Sequence, residues 1–134
     1  MAGPGTGSPP GAAPPGERSA RGRLAEDLAA RYLAACGLAI LDRNVRLPGG
    51  ELDLVAREGD EIVFVEVRSR RRGSRFSPEA TIDRAKRARL ARAADAWLSR
   101  REMPLARCRF DVVAVVASRG GYRLRHHRGA FVAG

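Results

Sequence analysis

The sequence predicts an α/β fold in one domain, a mixed sheet flanked by two helices, with its elements in the order helix, three strands, helix, two strands. Three observations carry that expectation. Apolar residues recur at helical spacing in two separate stretches, and runs of Val, Leu, Ile and Phe bounded by glycine turns lie between and after them. The chain has 134 residues with 44% hydrophobic content, enough for one modest core and not for two.

Residues 1 to about 17 are almost entirely Gly, Pro, Ala, Ser and Thr. Such a composition buries too little apolar surface to offset the entropy of ordering, so a disordered tail is expected, with the domain spanning 18–134. Leu24, Leu28, Tyr32 and Ala35 then recur at helical spacing until Gly37 supplies a stop. Residues 39–46 read as a short strand, and Pro48-Gly49-Gly50 as a turn into two further strand-like runs that reach Arg68. An arginine-rich connector covers 68–76. Ser77 as N-cap, Pro78 in the first turn and Glu79 at the positive end of the dipole predict a second helix running to about Arg101, before Pro104. "RFDVVAVVA", 109–117, is a nearly continuous apolar run of the kind a central strand requires. Gly120-Gly121 turns the chain into "YRLRHH", a short edge strand.

A formal charge of +10 and a pI near 11.3 point to a polyanionic partner. Nucleic acid ranks ahead of an anionic membrane, because no basic helix carries a bulky apolar face. Cys36 and Cys108 show no CxxC spacing, which argues against structural zinc or a disulfide framework and fits a reducing, cytoplasmic setting. With no apolar leader and no run of eighteen apolar residues, neither export nor a membrane span is expected. Aromatics make up 5% of the chain, too few for recognition by stacked bases.

Gly59-Asp60 suits a type II′ connection between antiparallel strands. Setting Glu58 opposite Glu61 then places Asp53 opposite Glu66 and Glu51 opposite Arg68. Alternation puts Glu51, Asp53, Glu66 and Arg68 on one face and Leu52, Leu54, Val65 and Val67 on the other. Two carboxylates facing each other across a ladder repel, and a hard divalent cation removes the conflict. Alternating charges on a half-exposed hairpin, with Glu51 and Arg68 as a plain salt bridge, are the ordinary alternative.

"GELDL" followed by "FVEVRSR" resembles the signature of the PD-(D/E)xK nuclease superfamily. More narrowly, "AEDLAARYL", "DRNVR", "GELDLVAREGDEIVFVEVRSR", "KRARLARAADAWL", "RFDVVAV" and "HHRGAF", in that order, resemble the YraN family of small bacterial proteins, which is similar to archaeal Holliday-junction resolvases. The resemblance implies a restriction-endonuclease-like αβββαβ core and metal-dependent hydrolysis of DNA, branched DNA included. It implies Asp53 and Glu66 as ligands of Mg²⁺ or Mn²⁺, with the Val67 carbonyl contributing. Glu26 matches the acid on the first helix of this lineage, and Glu51 an accessory position in "GE.DL".

Nuclease members carry lysine where this chain has Arg68. An arginine supplies positive charge at the phosphate but cannot accept a proton. Lys86, the one lysine in the chain, falls on the second helix with Ile82, Leu90, Ala93 and Trp97, and the family has a lysine at the same place. It is expected to support the site or contact a substrate phosphate; the alternative is a lysine whose stem merely covers core surface. "RSRRRGSR", with Arg70, Arg71, Arg72 and Arg75, follows the acids directly and is expected to contact a DNA backbone. His126 and His127 are adjacent in a strand and cannot jointly bind one ion, and read as surface residues of an edge; Asp111 is expected to pair with an arginine. Three functions stay open: a nuclease, a DNA-binding protein that no longer cuts, and an interaction domain for an acidic protein. Resolvase-like relatives work as dimers, which makes a homodimer an expectation here.

Overall fold

The computed structural model describes residues 19–73 and 82–132. Its elements are α1 (Ala20–Ala35), β1 (Ala39–Leu47), β2 (Gly50–Glu58), β3 (Glu61–Arg70), α2 (Arg84–Arg100), β4 (Cys108–Ser118) and β5 (Gly121–Phe131). The strands form one sheet in sequence order, antiparallel except where β4 returns parallel to β3 after the α2 crossover. This is the predicted element order and mixed sheet, consistent with a restriction-endonuclease-like core. The tail and Arg75 lie outside the described residues.

Each helix covers one face. Ala25, Ala29, Ala30 and Leu33 of α1 pack on Leu54, Ala56, Val63, Val65, Val113 and Val115. Leu90, Ala93, Ala94, Trp97 and Leu98 of α2 pack on Leu52, Val55, Phe64, Phe110 and Val112 on the other side. The central strand β4 is buried on both faces from Phe110 to Val115, as its unbroken apolar run predicts. The α1 cap is Ser19, whose hydroxyl accepts the Gly22 N–H at 3.0 Å.

Four local expectations need correction. The predicted cap Ser77 and first-turn Pro78 and Glu79 lie outside the described residues, but the helix does not run through from them. Asp83 is extended (φ −80°, ψ 176°), accepts the Lys86 N–H at 2.8 Å and starts α2 afresh at Arg84. A carboxylate within reach of a free helical N–H is a cap, and that local bond outweighs the apolar periodicity running through it. The last strand is longer than "YRLRHH" and extends to Phe131, whose ring stacks on Phe110 at 4.9 Å.

The remaining two concern the hairpin. Its register is the predicted one, from Glu58 opposite Glu61 to Leu54 opposite Val65, and Gly59 takes the positive φ of 61° that a II′ turn needs. Pairing stops there, however, before Asp53 would meet Glu66 or Glu51 would meet Arg68. Past that point Asp53 Oδ2 accepts the Val67 N–H at 2.8 Å, a side-chain bridge where a backbone ladder was expected. Glu51 instead stands opposite Arg46 of β1. Strict alternation also fails: Leu52 packs beneath α2 while Leu54 packs beneath α1. Asn44 on β1, beside this skip, is left-handed (φ 53°).

Candidate active site

The parting of β2 and β3 opens a cavity of about 190 Å³ beneath α2, lined by Gly50, Glu51, Asp53, Glu66, Val67, Lys86, Arg89 and Leu90. The sheet supplies the acids and the helix supplies the cations. Glu66 follows Ile62 and Phe64 along the face that α2 covers, so strand alternation alone aims its carboxylate under the helix. Lys86 lies one turn before Leu90, whose burial sets the rotation of α2 and turns Lys86 toward the acids.

Both acids are buried, Asp53 at 8% and Glu66 at 6% exposure. Glu66 Oε2 takes Arg68 Nη1 at 3.1 Å and Lys86 Nζ at 3.3 Å. Burial and then the Asp53 charge push the Glu66 carboxyl up to about 7, against the pull of Lys86 and Arg68. The pair therefore does not hold two negative charges comfortably at neutral pH, and a cation placed between them relieves both burial and repulsion. Among the described residues no group of three or more His, Cys, Asp or Glu is placed to hold a metal. An ion here would rely on two carboxylates, the Val67 main chain, water and substrate oxygens, a donor set that Mg²⁺ accepts.

The other predicted residues divide. Glu51 lines the same cavity. Glu26 is buried at 1% on the packed face of α1, not exposed as a simple surface acid would be, but it does not line the cavity. Arg70 is half-buried with its guanidinium on the Ser69 carbonyl at 2.9 Å, and burial and the Arg68 charge lower its pKa. Arg71 and Arg72 are exposed just beyond β3.

Two features escaped sequence reasoning. Arg89 lines the cavity one turn beyond Lys86, and the i, i+3 spacing was the available signal. His126, expected at the surface, has a side chain only 5% exposed, with Nε2 at 2.8 Å from Asp111 Oδ2 and Nδ1 at 3.1 Å from the Tyr32 hydroxyl. Asp111 does pair with an arginine: both its oxygens meet Arg109, at 3.0 and 3.2 Å, and Oδ1 also takes the Gly129 N–H at 2.9 Å. Arg109 reaches on to Glu58 and Glu61, so this cluster ties the tip of the hairpin to β4 and β5. These bonds outweigh burial and hold the Asp111 carboxyl below its ordinary range.

A family model described as "Uncharacterised protein family UPF0102" matches residues 25–115, from the buried stretch of α1 through the site to β4. The chain belongs to UPF0102. This is the YraN family that its motifs resemble. A UPF0102 protein of Anaeromyxobacter sp. (strain Fw109-5) is 47% identical over 116 residues, covering 87% of this chain and 87% of the relative. One from Parafrankia sp. (strain EAN1pec) is 48% identical over 112 residues, 82% of this chain and 94% of the relative. A third, from Syntrophotalea carbinolica, is 43% identical over 115 residues, 86% and 94%. The stretch that this UPF0102 chain shares with the family model contains Glu26, Glu51, Asp53, Glu66, Val67, Arg68 and Lys86, and among the described residues no helix is long and apolar enough to cross a membrane.

Proposed function

We propose that this UPF0102 protein is a metal-dependent phosphodiester hydrolase acting on DNA, branched or otherwise structured DNA included. The observation that carries the reading is the convergence of Asp53, Glu66, Lys86 and Arg89 on one cavity where β2 and β3 part. Asp53, Glu66 and the Val67 carbonyl would hold Mg²⁺ or Mn²⁺. When bound, the ion supplies polarisation of a phosphoryl oxygen and acidification of water.

The chain's own groups do the rest. Asp53 is oriented by the Val67 N–H, which donates to its Oδ2 at 2.8 Å. Glu66 is held by Lys86 and Arg68, so both cations stand within reach of any phosphate that meets Glu66. Arg68 occupies the motif's lysine position and supplies charge there, while its high pKa bars it from accepting a proton. Lys86 offers a point charge with three donors from α2 and takes the place of the missing lysine. Arg70, Arg71, Arg72 and Arg75 receive the flanking phosphates. Paired cuts on a branched substrate need two copies of the site, so a homodimer is part of the proposal.

One observation favours a second reading, a DNA-binding protein that does not cut. Glu66 is neutralised by two side chains of its own protein, which weakens its call on a metal. Incubation with labelled linear, flapped and four-way-junction DNA, in Mg²⁺, in Mn²⁺ and in chelator, separates the two. Metal-dependent cutting that disappears in Asp53→Ala is the expected result. Tight, salt-sensitive binding with no cutting in either metal selects the second reading, and absence of binding refutes both.

A further inference from the structure

From Arg84 to Arg92, α2 carries five cationic side chains and no acid, and its first turn holds no acidic residue. This is the reverse of what the helix dipole favours, and like charges one turn apart repel. The folded chain keeps the cluster in spite of that repulsion. Arg87 is accounted for, since its guanidinium lies over the Phe131 ring and its Nε donates to the Ile82 carbonyl. Lys86 is accounted for by Glu66. Arg89 and Arg92 are exposed and make no ion pair among the described residues.

Lys86, Arg89 and Arg92 follow one another at three-residue steps, a row of charges rising about 4.5 Å each along one side of the helix. The row starts in the cavity, where Lys86 and Arg89 both line the wall. It continues along the β1–β2 turn, which is seated directly on it. A Cβ on Gly49 would come to 2.8 Å from Arg92 Cβ, and one on Gly50 to 3.3 Å from the Arg89 carbonyl oxygen. At Gly49, with its φ of +97°, only glycine permits that approach, and at Gly50 the fit is tight, so the turn that leads into Asp53 is seated against α2 at Arg89 and Arg92. Acids and arginines are thereby held in a constant relation.

We propose that Lys86, Arg89 and Arg92 form a phosphate ridge on which the backbone of duplex DNA lies as one strand enters the cavity. The inference rests on the DNA reading above and extends it from the connector after β3 to a second surface on α2. No aromatic residue stands in the row, so it reads backbone charge and not bases.

The test uses the full chain, chelator and a fluorescent linear duplex, with dissociation constants measured between 50 and 200 mM salt. Arg89→Gln/Arg92→Gln keeps both aliphatic stems and removes two charges. The matched control, Arg57→Gln/Arg119→Gln, removes two exposed charges elsewhere, one on β2 and one in the β4–β5 turn. Each phosphate contact contributes about 0.9 to the slope of log K against log salt, so the ridge variant should lose about 1.8 from that slope. Over this fourfold range of salt it should weaken about 12-fold less than the parent protein, while the control keeps the parent slope. If parent and ridge variant share one slope, or if the control loses as much, the ridge is refuted and the DNA reading stands. If the parent does not bind duplex or branched DNA, the DNA reading itself fails and the ridge with it.

Discussion

Glu66 should make the metal-free protein progressively less stable as pH rises from about 4.5 to about 7. Its carboxyl is 6% exposed, and burial and the neighbouring Asp53 raise it from an ordinary 4.5 to about 7. Below 4.5 the group is protonated in both states and contributes no pH dependence. Between 4.5 and 7 the unfolded chain gives up the proton while the folded chain keeps it, so unfolding releases protons and rising pH favours it. Above 7 the folded carboxyl also ionises and the penalty levels off. The gap between 4.5 and about 7 corresponds to ~3 kcal/mol. Glu66→Gln removes the titration while keeping shape, so the variant's stability relative to the parent should rise by about 3 kcal/mol between pH 4.5 and pH 8. Urea unfolding in chelator at pH 4.5, 6, 7 and 8 measures it. Mg²⁺ at pH 8 should recover part of the loss in the parent and none in the variant. Parallel stability profiles for parent and Glu66→Gln would refute the claim that this carboxylate is buried against a like charge.

Lys86→Met should leave the fold intact, raise the Glu66 midpoint further and lower metal-dependent cleavage about 100-fold, whereas Arg68→Lys should keep or raise cleavage; single-turnover rates at saturating metal check both. Asp111→Asn removes the charge that Arg109 grips with two bonds and should destabilise by about 3–5 kcal/mol, read by urea unfolding. Gly49→Ala puts a Cβ against that of Arg92 at a φ of +97° and should cost about 1–3 kcal/mol in the same assay.

Much of the architecture was legible because its signals are local. The burial of Leu90, Ala93 and Trp97 follows from helical spacing, and that of β4 from an unbroken apolar run. On α1 the stripe read from the sequence was the wrong one: Leu24 and Ala35 are exposed, Leu28 and Tyr32 only partly buried, and the smaller Ala25, Ala29 and Ala30 face the sheet with Leu33. Gly59-Asp60 settled the hairpin register where the strands pair. The start of α2 was misjudged because Asp83 was read as helix interior, whereas its carboxylate accepts the Lys86 N–H and caps the helix before Arg84. His126 was misjudged for a related reason: a polar residue in an edge strand looks exposed until Asp111 and Tyr32 are seen to meet it from two other elements.

By itself the sequence determined the mixed α/β order, the two acids on neighbouring strands, the lone lysine on the second helix and, through its motifs, the family. Those are properties of periodicity and of side-chain type, which short-range geometry enforces. Only the tertiary structure decided that β2 and β3 part at Asp53, that Lys86 and Arg68 share one oxygen of Glu66, and that Arg89 and Arg92 follow Lys86 beside a turn of two glycines. Each depends on how a helix seats on a sheet. That is set by packing between residues tens of positions apart, and no local preference encodes it.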